Sequence, residues 1–132
     1  MLNKSSLQVI WALAELARLR SGKCEGAGSI AKKVGAPQNY LGKLLQDFCS
    51  NGIISSQKGV GGGFRLEKEP KNITLFEVVD FIEGVSRWSG CFMGREFCSD
   101  IDSCVAHGRW RVVRESYIQF LKQTTIADIM HN

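Results

Sequence analysis

Pro37-Gln-Asn-Tyr-Leu-Gly-Lys-Leu-Leu-Gln-Asp-Phe-Cys-Ser-Asn-Gly52 runs directly into Ile53-Ile-Ser-Ser-Gln-Lys-Gly-Val-Gly-Gly-Gly-Phe-Arg-Leu66. The first half has the marks of a helix. Pro37 stands in the first turn, where its missing N–H costs nothing. Leu41, Leu44, Leu45 and Phe48 recur at helical spacing and face inward, and Asn51-Gly52 closes the run. Gln38, Asn39, Lys43 and Gln46 are left outside, with Tyr40 near the start. The second half holds two β-prone runs around a glycine turn, which predicts a hairpin. The glycines could cradle a nucleotide phosphate, but the run lacks the Gly-Lys-Ser/Thr ending and the dinucleotide spacing such loops need. A helix with polar groups at its start, followed by a hairpin whose glycines are flanked by Lys58 and Arg65, reads as a recognition helix and wing.

The rest of the chain fits around that unit. Ser29–Val34, stopped by Gly35, supplies the first helix of a helix-turn-helix. Upstream, residues 5–20 carry Leu7, Ile10, Leu13, Ala14, Leu16 and Ala17 at helical spacing, with Ser5 and Gln8 in a capping-box pattern. Arg18 and Arg20 fall in the last turn, Gly22 supplies the stop, and Trp11 is expected in core or interface packing. Downstream, Glu67–Pro70 is a connector, and Thr74 with Glu77 opens a helix through Leu75, Val78, Val79 and Ile82 to Gly84. The longest helix is expected from Ser103 to about Gln123. On it Trp110, Val113, Tyr117, Phe120 and Thr124 alternate three and four apart, a seam suited to a second copy of the chain. Arg109, Arg111, Arg114 and Lys122 are expected on a solvated face. Thr125–Asp128 caps a final turn that docks Ile126, Ile129 and Met130. The expected fold is mostly α with a small β-hairpin wing: a winged helix-turn-helix plus a long C-terminal dimerisation helix. Its parts are a DNA-binding region at 1–84, a ligand loop at 85–104, and the dimerisation helix with its C-terminal turn at 103–132.

A second cluster carries chemistry. Cys91, Cys98, Cys104 and His107 together make a complete ligand set for a soft or borderline metal. Were a helix to start near Ser103, Cys104 and His107 would share a face of its first turn. Ligand type and spacing leave a structural zinc and an iron–sulfur cluster both open. Cys24 and Cys49 lie outside the run, Cys49 in a packing position beside Phe48. With 132 residues and 44% apolar content the chain can bury one core, and its charge of +4 permits a nucleic-acid partner without requiring one. An odd cysteine count of 5 and the absence of a signal-peptide layout predict a cytoplasmic protein without a disulfide framework. No apolar run is long enough for a membrane span, and no catalytic spacing suggests an enzyme.

Taken together, Tyr40-Leu41, Asn51-Gly52-Ile53, the wing Lys58-Gly-Val-Gly-Gly-Gly-Phe64, the three cysteines and Thr125-Ile-Ala-Asp128 resemble the bacterial winged-helix iron–sulfur transcription regulators of the IscR, NsrR and RirA type. The resemblance covers essentially the whole chain. It implies a homodimer that binds a palindromic operator in double-stranded DNA, with affinity set by its cluster. It further implies that Cys91, Cys98 and Cys104 ligate iron, with His107 matching the histidine ligand of one branch. That match points to a 2Fe–2S cluster, with 4Fe–4S as the alternative. Other branches take a ligand from the first helix, where this chain holds Gln8 and Ala12. The gap from Cys91 to Cys98 is one residue longer than the IscR branch leads us to expect. Gln38, Asn39 and Tyr40 are the candidates for base-edge or adjacent phosphate contacts, and Lys43, Lys58 and Arg65 for backbone or minor-groove contacts. The competing readings are a winged-helix protein with a structural zinc and a small iron–sulfur electron carrier; the second leaves the wing unexplained.

Overall fold

The computed structural model describes residues 2–85, 92–93 and 106–130. Its central element is α1 (Lys4–Ala17), whose Val9, Ala12, Leu13, Ala14 and Leu16 are all buried. With apolar residues on more than one face, α1 packs against helices on several sides, as a core helix must. Two expectations fail at its ends. Asn3, not Ser5, is the N-cap, its Oδ1 accepting the Ser6 N–H at 2.8 Å. The helix stops at Ala17, well before Gly22, because Arg18 and Leu19 close it with turn-type bonds to Glu15 and Leu16. Trp11 and Leu7 are both exposed, so neither belongs to the core of the single chain.

The helix-turn-helix forms as expected. α2 (Ala27–Val34) ends at Gly35 in the left-handed region, and α3 (Gln38–Phe48) begins after Pro37. Leu41, Leu45 and Phe48 are fully buried while Leu44 is only half-buried. Phe48 meets Phe81 with ring centroids 4.5 Å apart, a contact worth about 0.5–1.5 kcal/mol beyond area burial. One turn of 3-10 helix (Cys49–Asn51) then delivers the chain to the hairpin. Cys49 packs against the core and donates its thiol to the Leu45 carbonyl.

β1 (Ile54–Gln57) and β2 (Gly63–Leu66) pair antiparallel, with Ile54 opposite Leu66 and Gln57 opposite Gly63. Ile54 and Phe64 point to the core, Ser55 and Arg65 away from it. Sequence gave no hint of the third partner: Glu25 exchanges both backbone hydrogen bonds with Phe64, at 2.9 and 2.8 Å. This close approach explains the last glycine of the wing. A Cβ on Gly63 would lie 2.3 Å from the Glu25 carbonyl oxygen, and its φ of +131° also disfavours a side chain. Gly62 is equally constrained, since a Cβ there would lie 2.2 Å from the Gln57 carbonyl oxygen.

A short 3-10 turn (Pro70–Asn72) leads to α4 (Leu75–Glu83), which has the expected Thr74/Glu77 capping box and ends at Gly84. α5 spans His107–Gln123, with His107 at its first position; Ser103, where the helix is expected to begin, and Cys104 lie outside the described residues. α6 (Ile126–Met130) docks as predicted. Ile126 is fully buried, its N–H donates to Ile73 at 2.9 Å, and Thr125 and Asp128 cap the turn. Lys122 is exposed, as expected of a solvated face, and its ammonium lies over the Phe76 ring, 4.9 Å from the centroid.

Gly63→Ala should cost about 2 kcal/mol or more in urea denaturation, since it adds a backbone collision to left-handed strain. Gly22→Ala, where φ is +79° but nothing lies within 4 Å, should cost about 1 kcal/mol. Equal losses at the two positions would refute the close approach of Gly63 to Glu25.

Candidate nucleic-acid interface

The exposed surface at the start of α3 is built by local sequence. Pro37 sets the entry angle, and the inward Leu41 and Leu45 leave Gln38, Asn39, Tyr40 and Lys43 all exposed. Two of these meet other elements. The Tyr40 hydroxyl is hydrogen-bonded to Ser5 Oγ on α1. Asn3 takes the capping role and leaves Ser5 free for this contact. The Gln38 amide packs against the backbone of α2 at Gly28.

The wing's two cations differ in freedom. Lys58 is exposed at the exit of β1 beside the glycine turn and, among the described residues, has no carboxylate partner. Arg65 lies within β2, away from the turn, and its Nε donates to Glu67 at 3.2 Å. Hydrogen bonds from Ser55 and then Arg65 hold the Glu67 carboxyl below its ordinary range. Ion pairs this exposed contribute only about 0–1 kcal/mol, so Arg65 can exchange Glu67 for another anion at little cost.

Behind the interface, Glu25 joins wing and helix-turn-helix. Its buried carboxylate accepts from Ser29 at 2.7 Å and from Lys33 at 2.9 Å, while its backbone pairs with Phe64. The hydrogen bond to Glu25 holds the Lys33 ammonium above its usual range. Sequence reasoning missed Glu25, Ser5 and Gly28. The signal available for Glu25 was an acidic residue just before the Gly26 N-cap of α2, and the other two follow only from tertiary packing.

Of the predicted metal ligands, Cys91, Cys98 and Cys104 lie outside the described residues. His107 is half-buried at the first position of α5. Among the described residues no three His, Cys, Asp or Glu side chains converge as a metal site. One contact bears on the loop: the Phe92 ring packs on Trp110, centroids 5.2 Å apart, which brings residue 92 to the first turn of α5, on the face His107 shares at i, i+3. Gln8 and Ala12 of α1 are both buried.

α5 packs on α4, and hydrogen bonds lead from the end of α4 through the start of α1 to α3. Burial, and next the negative charge of Glu83, push the Tyr117 hydroxyl above its usual pKa. Glu83, at the end of α4, accepts from the Asn3 N–H at 3.1 Å and from Ser6 Oγ at 2.5 Å at the start of α1. Ser5, between those two residues, bonds Tyr40. The expected seam of α5 is divided. Tyr117 packs on the chain's own core, while Val113 and Phe120 stay more than half exposed, at 55% and 54%.

The Rrf2 family, described as an iron-dependent transcriptional regulator, matches residues 2–132. A chain from Aquifex aeolicus (strain VF5) described as an HTH-type transcriptional regulator is 30% identical over 122 residues, covering 91% of this chain and 84% of that one. The HTH-type transcriptional regulator IscR of Klebsiella pneumoniae (strain 342) is 30% identical over 103 residues, which is 78% of this chain but 63% of IscR, under two thirds of that protein's length. Among solved structures, T. potens IscR superposes with a TM-score of 0.79 at 24% identity, covering 99% of this chain and 86% of its own. CymR (YrzC), the global cysteine regulator of B. subtilis, does so with a TM-score of 0.80 at 21% identity, covering 99% and 96%. These structures establish the shared fold. No helix among the described residues is long and apolar enough to cross a membrane.

Proposed function

The chain belongs to the Rrf2 family, DNA-binding transcriptional regulators rather than enzymes, and from that premise we propose a sensor-repressor. In this reading two copies bind a palindromic operator, and an iron–sulfur cluster on each chain sets their affinity. The observation that carries it is the joining of two parts in one fold. One is a winged helix whose α3 start and Lys58 are exposed. The other is a three-cysteine, one-histidine donor set in the run leading into α5.

The donor chemistry fits the group. Thiolates and an imidazole suit iron–sulfur ligation, and Cys91, Cys98, Cys104 and His107 would hold it, as 2Fe–2S in preference to 4Fe–4S. When bound, the cluster supplies a centre that responds to oxidants, nitric oxide and iron supply. The packing of Phe92 on Trp110 brings residue 92, next to Cys91 in sequence, to the start of α5. Val113 and Phe120, exposed on that helix, support its use as the contact between two copies. If α5 is shared by the dimer, a tilt at its first turn changes the separation of the two α3 helices. A palindrome fixes the half-site spacing, so altered separation becomes altered affinity.

On DNA, Gln38, Asn39 and Tyr40 would meet base edges or adjacent phosphates, and Lys43, Lys58 and Arg65 would meet backbone or the minor groove. The donor set could also hold zinc, which would leave the purified protein colourless.

Replacing Cys98 with Ala should abolish the visible chromophore and the iron and sulfide content of anaerobically purified protein; a normal chromophore removes Cys98 from the ligand set. Lys58→Ala should weaken binding across all sequences and reduce the salt slope by about one unit, the signature of one lost phosphate contact. An unchanged slope would exclude that contact.

A further inference from the structure

We infer that Gly28, on the helix preceding the recognition helix, is a specificity-determining position that acts by seating the Gln38 side chain. This deepens the proposed reading and rests on its assignment of Gln38 to a base edge. Gly28 is the second residue of α2 and has no positive φ, so the backbone there does not require glycine. Space does. A Cβ at position 28 would stand 3.1 Å from Gln38 Cδ, 3.1 Å from its Oε1 and 3.2 Å from its Nε2. All three contacts are with the terminal amide, the group that would read a base. The two helices also approach closely one turn further along α3, where a Cβ on Gly42 would meet the Ala27 methyl at 3.4 Å. The amide of Gln38 therefore lies against α2 at the one place where α2 has no side chain.

The consequence is a separation of fold from readout. Alanine is a better helix former than glycine, so Gly28→Ala should leave the fold intact or strengthen it. The methyl meets only the far end of a flexible side chain, which moves aside at little cost. A moved amide, however, no longer presents its oxygen and nitrogen at the geometry that a bidentate contact with a base needs. Glycine at 28 thus contributes preorganisation: Gln38 is oriented before DNA arrives. Gly28 touches no base itself; it is a positioning residue.

The test is selection from a random-sequence duplex library by the full chain, prepared anaerobically. It compares wild type with Gly28→Ala, Gln38→Ala and the double variant, each checked first by thermal unfolding. We expect Gly28→Ala to unfold at or above the wild-type temperature. It should lose preference at the same base pair of each half-site as Gln38→Ala does, by about tenfold, with other positions unchanged. The double variant should match Gln38→Ala alone, because the two changes act on one contact. If Gln38→Ala alters base preference and Gly28→Ala does not, the seat is refuted while the base contact stands. If neither alters preference at any position, the assignment of Gln38 to a base edge fails, and the role of Gly28 falls with it.

Discussion

A pair of backbone hydrogen bonds between Glu25 and Phe64 fixes the wing to the helix-turn-helix. A two-stranded hairpin alone is marginal in water. Here the Glu25 backbone adds a third partner, and its carboxylate is bound to Ser29 and Lys33 on α2. The same residue therefore belongs to the sheet and to the helix pair. The contact is so close that only glycine fits opposite it at position 63. The glycines of the wing are thus not equivalent. Gly59 and Gly61 have positive φ in open space and shape the turn, whereas Gly62 and Gly63 are excluded volume.

The second organising feature is the route from α5 to the exposed start of α3. Glu83 gathers the first turn of α1, and Ser5 in that turn holds Tyr40. α5 packs on α4, which ends at Glu83. A tilt of α5 therefore has a route to α3 through one intervening helix end and one helix start. Such continuity is a physical condition for coupling and does not measure its size. The half-exposed Val113 and Phe120 sit on the same helix, so in the proposed dimer the contact between copies and the origin of this route coincide.

Local signals made most of the fold legible in the sequence. Gly35 and Gly84 stop their helices, Thr74 with Glu77 caps α4, and the glycine-rich run separates two strands as expected. Where reading failed, a competing local group or a distant contact had won. Asn3 outcompeted Ser5 as cap, since either can accept from a first-turn N–H and the choice depends on where the chain enters. Leu7 looks like a core residue in any hydrophobic pattern, yet faces outward because α1 buries its other sides; Trp11, read as core or interface, is exposed on the single chain. The Glu25 bridge and the Gly28 seat pair residues distant in sequence, and no periodicity encodes them. Arg65 lies in the second strand, as its β-prone run predicts, but its position opposite Ser55 and its bond to Glu67 follow from register rather than from any local signal. The donor set at 91–107 is legible as chemistry from residue types alone, while His107 is the member of it that the described residues include.

The central claim is that one inorganic centre sets the DNA affinity of this winged helix. The most direct measurement divides a single anaerobic preparation in two, one half cluster-loaded and the other stripped of iron and sulfide. Titrating both against the same selected duplex at fixed salt should give dissociation constants that differ by about tenfold or more, a coupling within the usual range for linked sites. Identical constants, or a preparation that is colourless and iron-free yet binds its operator unchanged when iron and sulfide are supplied, would contradict it.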